Sequence, residues 1–129
     1  MATKKENTFR RSVHKYLPSK VHQEKTNNPF NSGTPDDYYE GDKAIAWVEY
    51  KFIEPTPARA FTPKLTALQI DWLERSFNNG VNVRVIVGTP KGAFILESPE
   101  QWESQQQVKN LRLYSRKEVA AYLTHLTTW

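Results

Sequence analysis

The sequence predicts an α/β domain in which a mixed β-sheet is flanked by helices. Three observations carry this prediction. The segment from Ala44 to Ile53 is rich in apolar and aromatic residues and fits a strand, as does the β-branched run from Val81 to Val87. Between them, residues 63–78 carry apolar side chains at helical spacing. A chain of 129 residues suits one domain with one core, so residues 1–129 are treated as a single unit.

The composition is mildly basic and excludes several classes of protein. The net charge is +4 and the pI is about 9.3, which favours a polyanionic partner. The absence of cysteine excludes disulfides, a thiol nucleophile and a cysteine zinc site. No apolar run approaches membrane-spanning length, and no signal-peptide segment is found near the N-terminus. We therefore expect a soluble intracellular protein, in the cytoplasm of a bacterium or of a virus-infected host cell, with no membrane partner.

The first predicted element is an amphipathic helix that begins at the candidate N-cap Thr8 and ends near Leu17, before Pro18. Residues 1–7 are polar and are expected to be flexible. The basic side chains of this helix are Arg10, Arg11 and Lys15. They fit either a solvated helix face or a face that contacts a polyanion backbone.

A β-hairpin follows, with its turn at Gly41-Asp42-Lys43 and its second arm from Ala44 to Ile53. Side chains of a strand alternate between two faces. Both faces of the second arm are largely apolar, which predicts a central strand covered on both sides. Glu49 and Lys51 lie on one of these faces. A buried charge costs several kcal/mol, roughly, unless it is paired or binds a metal ion.

The hairpin brings an aspartate to the same face. If the turn is centred between Asp42 and Lys43, Asp36 lies opposite Glu49, whereas a shift by one residue would bring Asp37 there instead. Two carboxylates and a lysine on one face suit Mg²⁺ or Mn²⁺, which polarises a phosphoryl oxygen and lowers the pKa of a bound water. The alternative interpretation is a structural ion pair between Glu49 and Lys51.

The next helix is expected over residues 63–78, with Thr62 as its N-cap and Pro63 at its first position. Gln69 lies on the apolar face of this helix and needs a hydrogen-bonding partner. That partner is either nearby backbone or the candidate site on the hairpin.

The C-terminal part of the chain completes the sheet and adds helices. A turn at residues 88–92 joins the Val81–Val87 strand to a second strand from Ala93 to Leu96. A short helix is expected from Ser98 to about Gln105. Ser115 and Glu118 match a capping box that opens a last helix, whose apolar face either closes the core or pairs with a second subunit.

Three motifs together resemble the signature of the PD-(D/E)XK nucleases. They are Pro35-Asp36, the strand-borne Glu49-Tyr50-Lys51, and a helix that carries Gln69. The fuller pattern over roughly residues 33–88 is similar to the VRR-NUC branch and its Holliday-junction-resolvase relatives. The resemblance implies a restriction-endonuclease-like core over residues 33–97.

The resemblance also implies roles for individual residues. Asp36 (rather than Asp37), Glu49 and the backbone carbonyl of Tyr50 would bind Mg²⁺, with Mn²⁺ as a substitute. Lys51 and Gln69 would place the attacking water or the phosphate. Many relatives carry a further acidic residue on the first helix, for which Glu6 is the nearest match and Glu24 the runner-up.

The implied function is a metal-dependent endodeoxyribonuclease, either selective for branched DNA or of a nicking or homing type, and possible as a homodimer or higher homo-oligomer. A small chain of this kind is associated with phages and other mobile elements. The residues expected to contact DNA are Arg10, Arg11, Lys15, Lys25, Arg59 and Lys64. One alternative is a DNA-binding module that keeps the fold without cleaving. A weaker one is a structural interaction protein with a surface ion pair.

Overall fold

The computed structural model of the chain describes residues 3–26 and 33–129. Within these ranges the α-helices are α1 (Lys4–His14), α2 (Ala67–Asn78), α3 (Pro99–Trp102) and α4 (Arg116–Thr127), and one 3₁₀ turn covers Val108–Asn110. The strands are β1 (His22–Lys25), β2 (Asp37–Glu40), β3 (Ile45–Phe52), β4 (Ala60–Phe61), β5 (Asn82–Thr89), β6 (Gly92–Leu96) and β7 (Gln106–Gln107).

The main sheet has five strands in the order β1-β2-β3-β5-β6. Strands β3 and β5 are parallel and are joined by a crossover that contains α2, whereas the other neighbouring strands are antiparallel. The sheet is therefore mixed, and β3 is central, as the sequence predicts. A small second sheet pairs β4 with β7, which no sequence pattern predicts.

The hairpin has the register expected from a turn centred between Asp42 and Lys43. Asp37 lies opposite Val48, and Tyr38 lies opposite Trp47. Continuing this register by one residue beyond β2 brings Asp36 alongside Glu49. The register thus follows from the turn and from the apolar alternation of β3.

Helices cover both faces of the sheet. On one face α1 and α4 pack against a buried cluster that includes Phe9, Val48, Tyr50, Ile86 and Leu123. On the other face α2 packs against a second cluster that includes Phe61, Leu73, Val83, Val85 and Trp102. Strand β3 sends alternate side chains into the two clusters, as expected for a central strand.

Two helices begin at other residues than predicted because capping boxes determine their starts. Helix α1 starts at Lys4 rather than after Thr8, since the Thr3 hydroxyl accepts from the Glu6 N–H and the Glu6 carboxylate accepts from the Thr3 N–H. Residues 4–7 are therefore helical rather than flexible, while residues 1 and 2 lie outside the described ranges. The helix also ends at His14, short of Leu17.

Helix α2 starts at Ala67 rather than at Pro63, with Thr66 in place of Thr62 as its N-cap. Other boundaries shift by smaller amounts. Strand β5 starts at Asn82 and extends to Thr89, and α3 ends at Trp102 instead of near Gln105. The capping box of Ser115 and Glu118 at α4 is confirmed. Across the described residues, each helix is too short or too polar to cross a membrane.

Candidate active site

Strand β3 carries two charged side chains into the interior below α2. Glu49 is buried, with 2% of its surface exposed. The Lys51 ammonium lies 3.8 Å from Glu49 Oε2, and its side chain is partly exposed. The two residues lie on the same face because strand side chains repeat every second residue.

Asp36 lies directly before β2, at the end of the β2–β3 ladder. Strand β2 starts one residue later, and the Tyr50 N–H donates to Asp36 Oδ2 over 2.9 Å. The N–H and C=O of one strand residue face the same neighbouring strand. The Tyr50 carbonyl therefore faces the Asp36 side of β3.

Gln69 joins the start of α2 to Glu49. Its Oε1 accepts from the Thr66 N–H at 2.9 Å as part of the capping box, and its Nε2 donates to Glu49 Oε2 at 3.2 Å. The sequence left open whether Gln69 bonds to backbone or reaches the candidate site, and the structure shows that it does both. The amide thereby fixes one carboxylate oxygen of Glu49 in a buried position.

The electrostatics around Glu49 show an excess of negative charge. The pKa of Glu49 is raised to about 9, first by burial and then by the neighbouring Asp36 carboxylate, while Lys51 opposes the rise and Glu6 adds to it. A divalent cation at this point would offset both the burial and the repulsion. Carboxylate and carbonyl oxygens are the ligands that Mg²⁺ and Mn²⁺ prefer, so the donor set of Asp36, Glu49 and the Tyr50 carbonyl fits such an ion.

The acidic residue expected from the first helix, Glu6, has contacts both at the cleft and within its own helix. Glu6 lines the cleft beside Lys51, yet its carboxylate also accepts from the Thr3 N–H. Among the described residues, no group of three or more His, Cys, Asp and Glu side chains is arranged to hold a metal ion. A role of Glu6 as ligand remains a prediction. The runner-up Glu24 lies exposed on β1, where its carboxylate contacts His22.

An open cleft of about 430 Å³ adjoins the site. Its walls come from the N-terminal turn of α1, the end of β3 and the segment around β4. Lys51 reaches this cleft, which Thr62 and Lys64 also line. Glu49 is therefore buried behind a lysine that faces the open space.

Arg10, one of the residues expected to contact DNA, lies in the interior rather than on the surface. Arg10 is buried and forms two hydrogen bonds with Asp37, one of them 2.8 Å between Nη2 and Oδ1. Gln23 donates to the same carboxylate over 2.7 Å. The hydrogen bonds that Arg10 donates to Asp37 raise the pKa of Arg10, and burial opposes this rise. Asp37 is thus engaged in a structural ion pair away from solvent, which agrees with the choice of Asp36 for the site.

The other basic residues singled out in the sequence lie on the surface. Their side chains are exposed, but nothing in the structure shows what they contact, so DNA binding by them remains a prediction: Arg11, Lys15, Lys25, Arg59 and Lys64. Of these, Lys64 is the one that lines the cleft with Lys51.

Sequence reasoning missed a buried polar chain behind β3. His14 Nε2 lies 2.7 Å from the Tyr39 hydroxyl, which lies 2.6 Å from the Tyr50 hydroxyl. Burial lowers the pKa of His14 to about 4 and raises the pKa of both tyrosines. This chain ties α1, β2 and β3 together directly behind the Tyr50 backbone. Nothing in the spacing of His14 indicates it, because the contact is tertiary.

Sequence reasoning also overlooked Thr66, which supports Gln69 from the helix N-cap. Here a signal exists in the sequence. Thr66-Ala-Leu-Gln69 matches the capping-box pattern, in which a threonine is followed three residues later by glutamine.

Comparison with known proteins supports the fold. No protein-family model and no curated protein matches the chain. Among solved structures, Hjc of Archaeoglobus fulgidus, a Holliday junction resolvase from an archaeal hyperthermophile, matches with a TM-score of 0.60 at 14% sequence identity. The match covers 88% of this chain and 98% of Hjc. The chain therefore shares its fold with Hjc, a five-stranded mixed sheet flanked by helices.

Proposed function

We propose that this protein is a divalent-metal-dependent endodeoxyribonuclease that hydrolyses phosphodiester bonds, with a preference for branched DNA. One observation carries the proposal: Asp36, Glu49, Lys51 and Gln69 come together beside an open cleft, on a fold shared with a Holliday junction resolvase. On this proposal residues 1–129 form a single nuclease domain with its catalytic core at 33–97, related to the VRR-NUC branch. A nicking or homing-type activity would use the same site.

The proposed roles follow from the positions of the side chains. Asp36, Glu49 and the Tyr50 carbonyl would hold Mg²⁺, or Mn²⁺ in its place. When bound, the ion would supply a Lewis acid that polarises the phosphoryl group and makes water a stronger nucleophile near neutral pH. Two of these proposed ligands belong to strand β3, and Asp36 lies directly before β2; the Asp36 and Glu49 side chains are both buried.

Lys51 faces the cleft and is suited to two tasks. Its ammonium group can orient the attacking water by hydrogen bonding, and it can stabilise negative charge that develops on the phosphate. Because the lysine lies 3.8 Å from Glu49 Oε2, water and phosphate would meet at the boundary between the buried carboxylates and the open cleft.

Gln69 acts through Glu49 as a positioning residue. Its Nε2 holds Glu49 Oε2, and the capping box holds the amide in turn. Partners of this kind orient a metal ligand, and their loss typically costs about 10–100-fold in metal affinity or activity. The exposed basic residues Arg11, Lys15, Lys25, Arg59 and Lys64 would contact phosphates, which positions DNA without specifying its sequence.

Partner choice and assembly also belong to the proposal. A four-way junction presents two similar strands to be cut, which a symmetric dimer matches with two copies of one site. A homodimer is therefore the proposed functional form on junctions, and a monomer would suffice for nicking.

The test is a cleavage assay on plasmid, linear duplex, single-stranded and four-way-junction DNA in Mg²⁺, Mn²⁺ and EDTA. The parent protein is expected to cut the junction in either metal and to be inactive in EDTA. Glu49→Gln should not cut, whereas Glu40→Gln, which makes the same charge change at an exposed position on β2, should cut like the parent. If the parent binds DNA but cuts none of the four, the nuclease proposal fails and a non-cleaving DNA-binding module takes its place.

A further inference from the structure

We infer that a second cleft, next to the candidate active site, binds an unpaired nucleotide of the DNA strand that is cut. This inference deepens the proposed nuclease function and rests on it. The second cleft has a volume of about 420 Å³ and lies between one side of α1, the end of β3 and the first residue of α4. Phe52 and Glu54 line both clefts, so the two spaces are neighbours.

Two flat surfaces in the second cleft suit a nucleobase. The Phe52 ring is half-buried and packs against Phe9, with ring centroids 6.2 Å apart. The Arg116 guanidinium lies over the Phe9 ring at 4.9 Å, and its Nε donates to Ser12 Oγ at 2.9 Å. The guanidinium plane is thereby held in place. Unpaired bases stack on aromatic rings and on arginine planes of this kind.

The charge of the cleft suits a phosphate. Lys4 and Lys5 of α1 and Arg116 of α4 line it, and the carboxylate of Glu54 on its wall lies 2.8 Å from the Lys5 ammonium. Lys4 and Arg116 occupy the first position of their helices. Cations are disfavoured there by the helix dipole, so helix stability does not account for them.

The arrangement of the two clefts indicates the form of the substrate. Lys51 and Phe52 are consecutive on β3 and point to opposite faces of the sheet. Because Phe52 borders both clefts, a nucleotide that follows a phosphate beside Lys51 would have its base within reach of the Phe52 ring. In a continuous duplex that base is stacked inside the helix and cannot reach the ring without being extruded. The favoured substrate thus has an unpaired nucleotide next to the cut, as in a splayed arm or at a branch point.

The experiment uses the full chain and DNA that carries 2-aminopurine, a base whose fluorescence changes on stacking. A splayed-arm duplex and a fully paired duplex carry the probe at the same position, and all binding is measured in EDTA. The stacking variants are Phe52→Leu, which keeps an apolar side chain, and Arg116→Gln. The matched controls are Phe77→Leu and Lys117→Gln, exposed residues that do not line the cleft. Thermal unfolding of every variant verifies that it is folded.

The parent is expected to change the probe fluorescence in the splayed arm and to leave it unchanged in the paired duplex. Phe52→Leu and Arg116→Gln should each weaken binding of the splayed arm about tenfold and reduce the fluorescence change, consistent with the loss of one stacked base. The two controls should behave like the parent. If either folded stacking variant retains the parent's affinity and fluorescence change, the inference is overturned.

Failure of the inference is distinguishable from failure of the nuclease proposal. Binding in EDTA requires no cleavage, so Glu49→Gln should keep the fluorescence change while losing activity in Mg²⁺. A parent that cuts DNA without stacking the probe would refute the second cleft alone. A parent that stacks the probe but never cuts would refute the nuclease, and with it the assignment of the stacked strand as a substrate.

Discussion

Replacing Arg10 by methionine tests whether this residue supports the fold or contacts DNA. Arg10 joins α1 to β2 through its ion pair with Asp37, and the two side chains are 8% and 0% exposed. Methionine keeps most of the apolar stem and removes the guanidinium. The change therefore leaves the Asp37 carboxylate in the interior without a counter-charge.

The expected loss of stability can be worked from these contacts. Removing one partner of a buried pair typically costs about 3–5 kcal/mol. The Gln23 amide still donates to Asp37, and a hydrogen bond of this kind offsets about 1 kcal/mol. We expect a net loss of about 2–4 kcal/mol, which is a large share of the roughly 5–15 kcal/mol of a domain of this kind.

The assay is urea denaturation followed by circular dichroism, combined with a double-mutant cycle. The double variant Arg10→Met/Asp37→Leu removes both charges and should recover most of the lost stability. Arg11→Met is the matched control, because Arg11 is the exposed neighbour on the same helix, and it should cost less than about 0.5 kcal/mol.

DNA affinity, measured where all variants are folded, separates the two roles of Arg10. Arg10→Met should bind DNA within about twofold of the parent, since a buried guanidinium makes no phosphate contact. If Arg10→Met were as stable as the parent but bound DNA poorly, the structural assignment of this ion pair would be refuted.

Three further predictions follow from single contacts. Gln69→Glu keeps the capping oxygen but adds a charge beside buried Glu49, so in EDTA the denaturation midpoint should fall by an amount that corresponds to about 1–3 kcal/mol; an unchanged midpoint would contradict the contact. Burial lowers the pKa of His14 from 6.5 to about 4, so between these pH values the imidazole is protonated in the unfolded chain but not in the folded one. Stability should therefore fall as the pH is lowered from 6.5 to 4, by less than about 1.4 kcal/mol per pH unit. His14→Gln should flatten this dependence, and an equal slope in both proteins would contradict the prediction. In Gly88→Ala the new Cβ would lie 2.6 Å from the ring of Phe9, which should lower the free energy of unfolding by about 1–3 kcal/mol in thermal or urea denaturation. Unfolding like that of the parent would show that α1 can shift away from β5 without loss of stability.

The hairpin was predictable because local chemistry and tertiary burial agree there. The turn at Gly41-Asp42-Lys43 sets the register, and the apolar alternation of β3 requires the same register to fill both faces of the sheet. Placement of Asp36 beside Glu49 follows from these two constraints. Gln69 was predictable for a similar reason, since a polar residue on an apolar helix face must find a partner in the interior.

The starts of α1 and α2 were not predicted because the sequence offers two candidate threonine caps for each of these helices. Thr8 and Thr62 both precede helical patterns, yet Thr3 and Thr66 form the caps. The difference lies in the third residue of the helix: Thr3 and Thr66 each have a Glu or Gln at that position to complete a capping box. This pattern is present in the sequence, and a complete capping box predicts the starts of α1 and α2 better than an isolated threonine does.

Arg10 could not be assigned from the sequence because its partner lies on another element. A basic residue on an amphipathic helix is ordinarily solvated, and the spacing of Arg10 does not distinguish it from exposed Arg11. Only the packing of α1 on β2 brings Asp37 within reach. The pairing of β4 with β7 was unpredictable for the same reason, since strands of two residues carry no periodic pattern.

The central claim is that the site built on Asp36, Glu49 and Lys51 cuts DNA with the help of a divalent ion. The most direct test is the single-turnover cleavage rate of one four-way junction in Mg²⁺, compared between the parent and Glu49→Gln at DNA-saturating protein. We expect the variant to bind the junction within about threefold of the parent while its rate falls at least about 100-fold, and we expect EDTA to abolish the parent's rate. Equal rates for the two proteins, or a parent rate that is unaffected by EDTA, would contradict it.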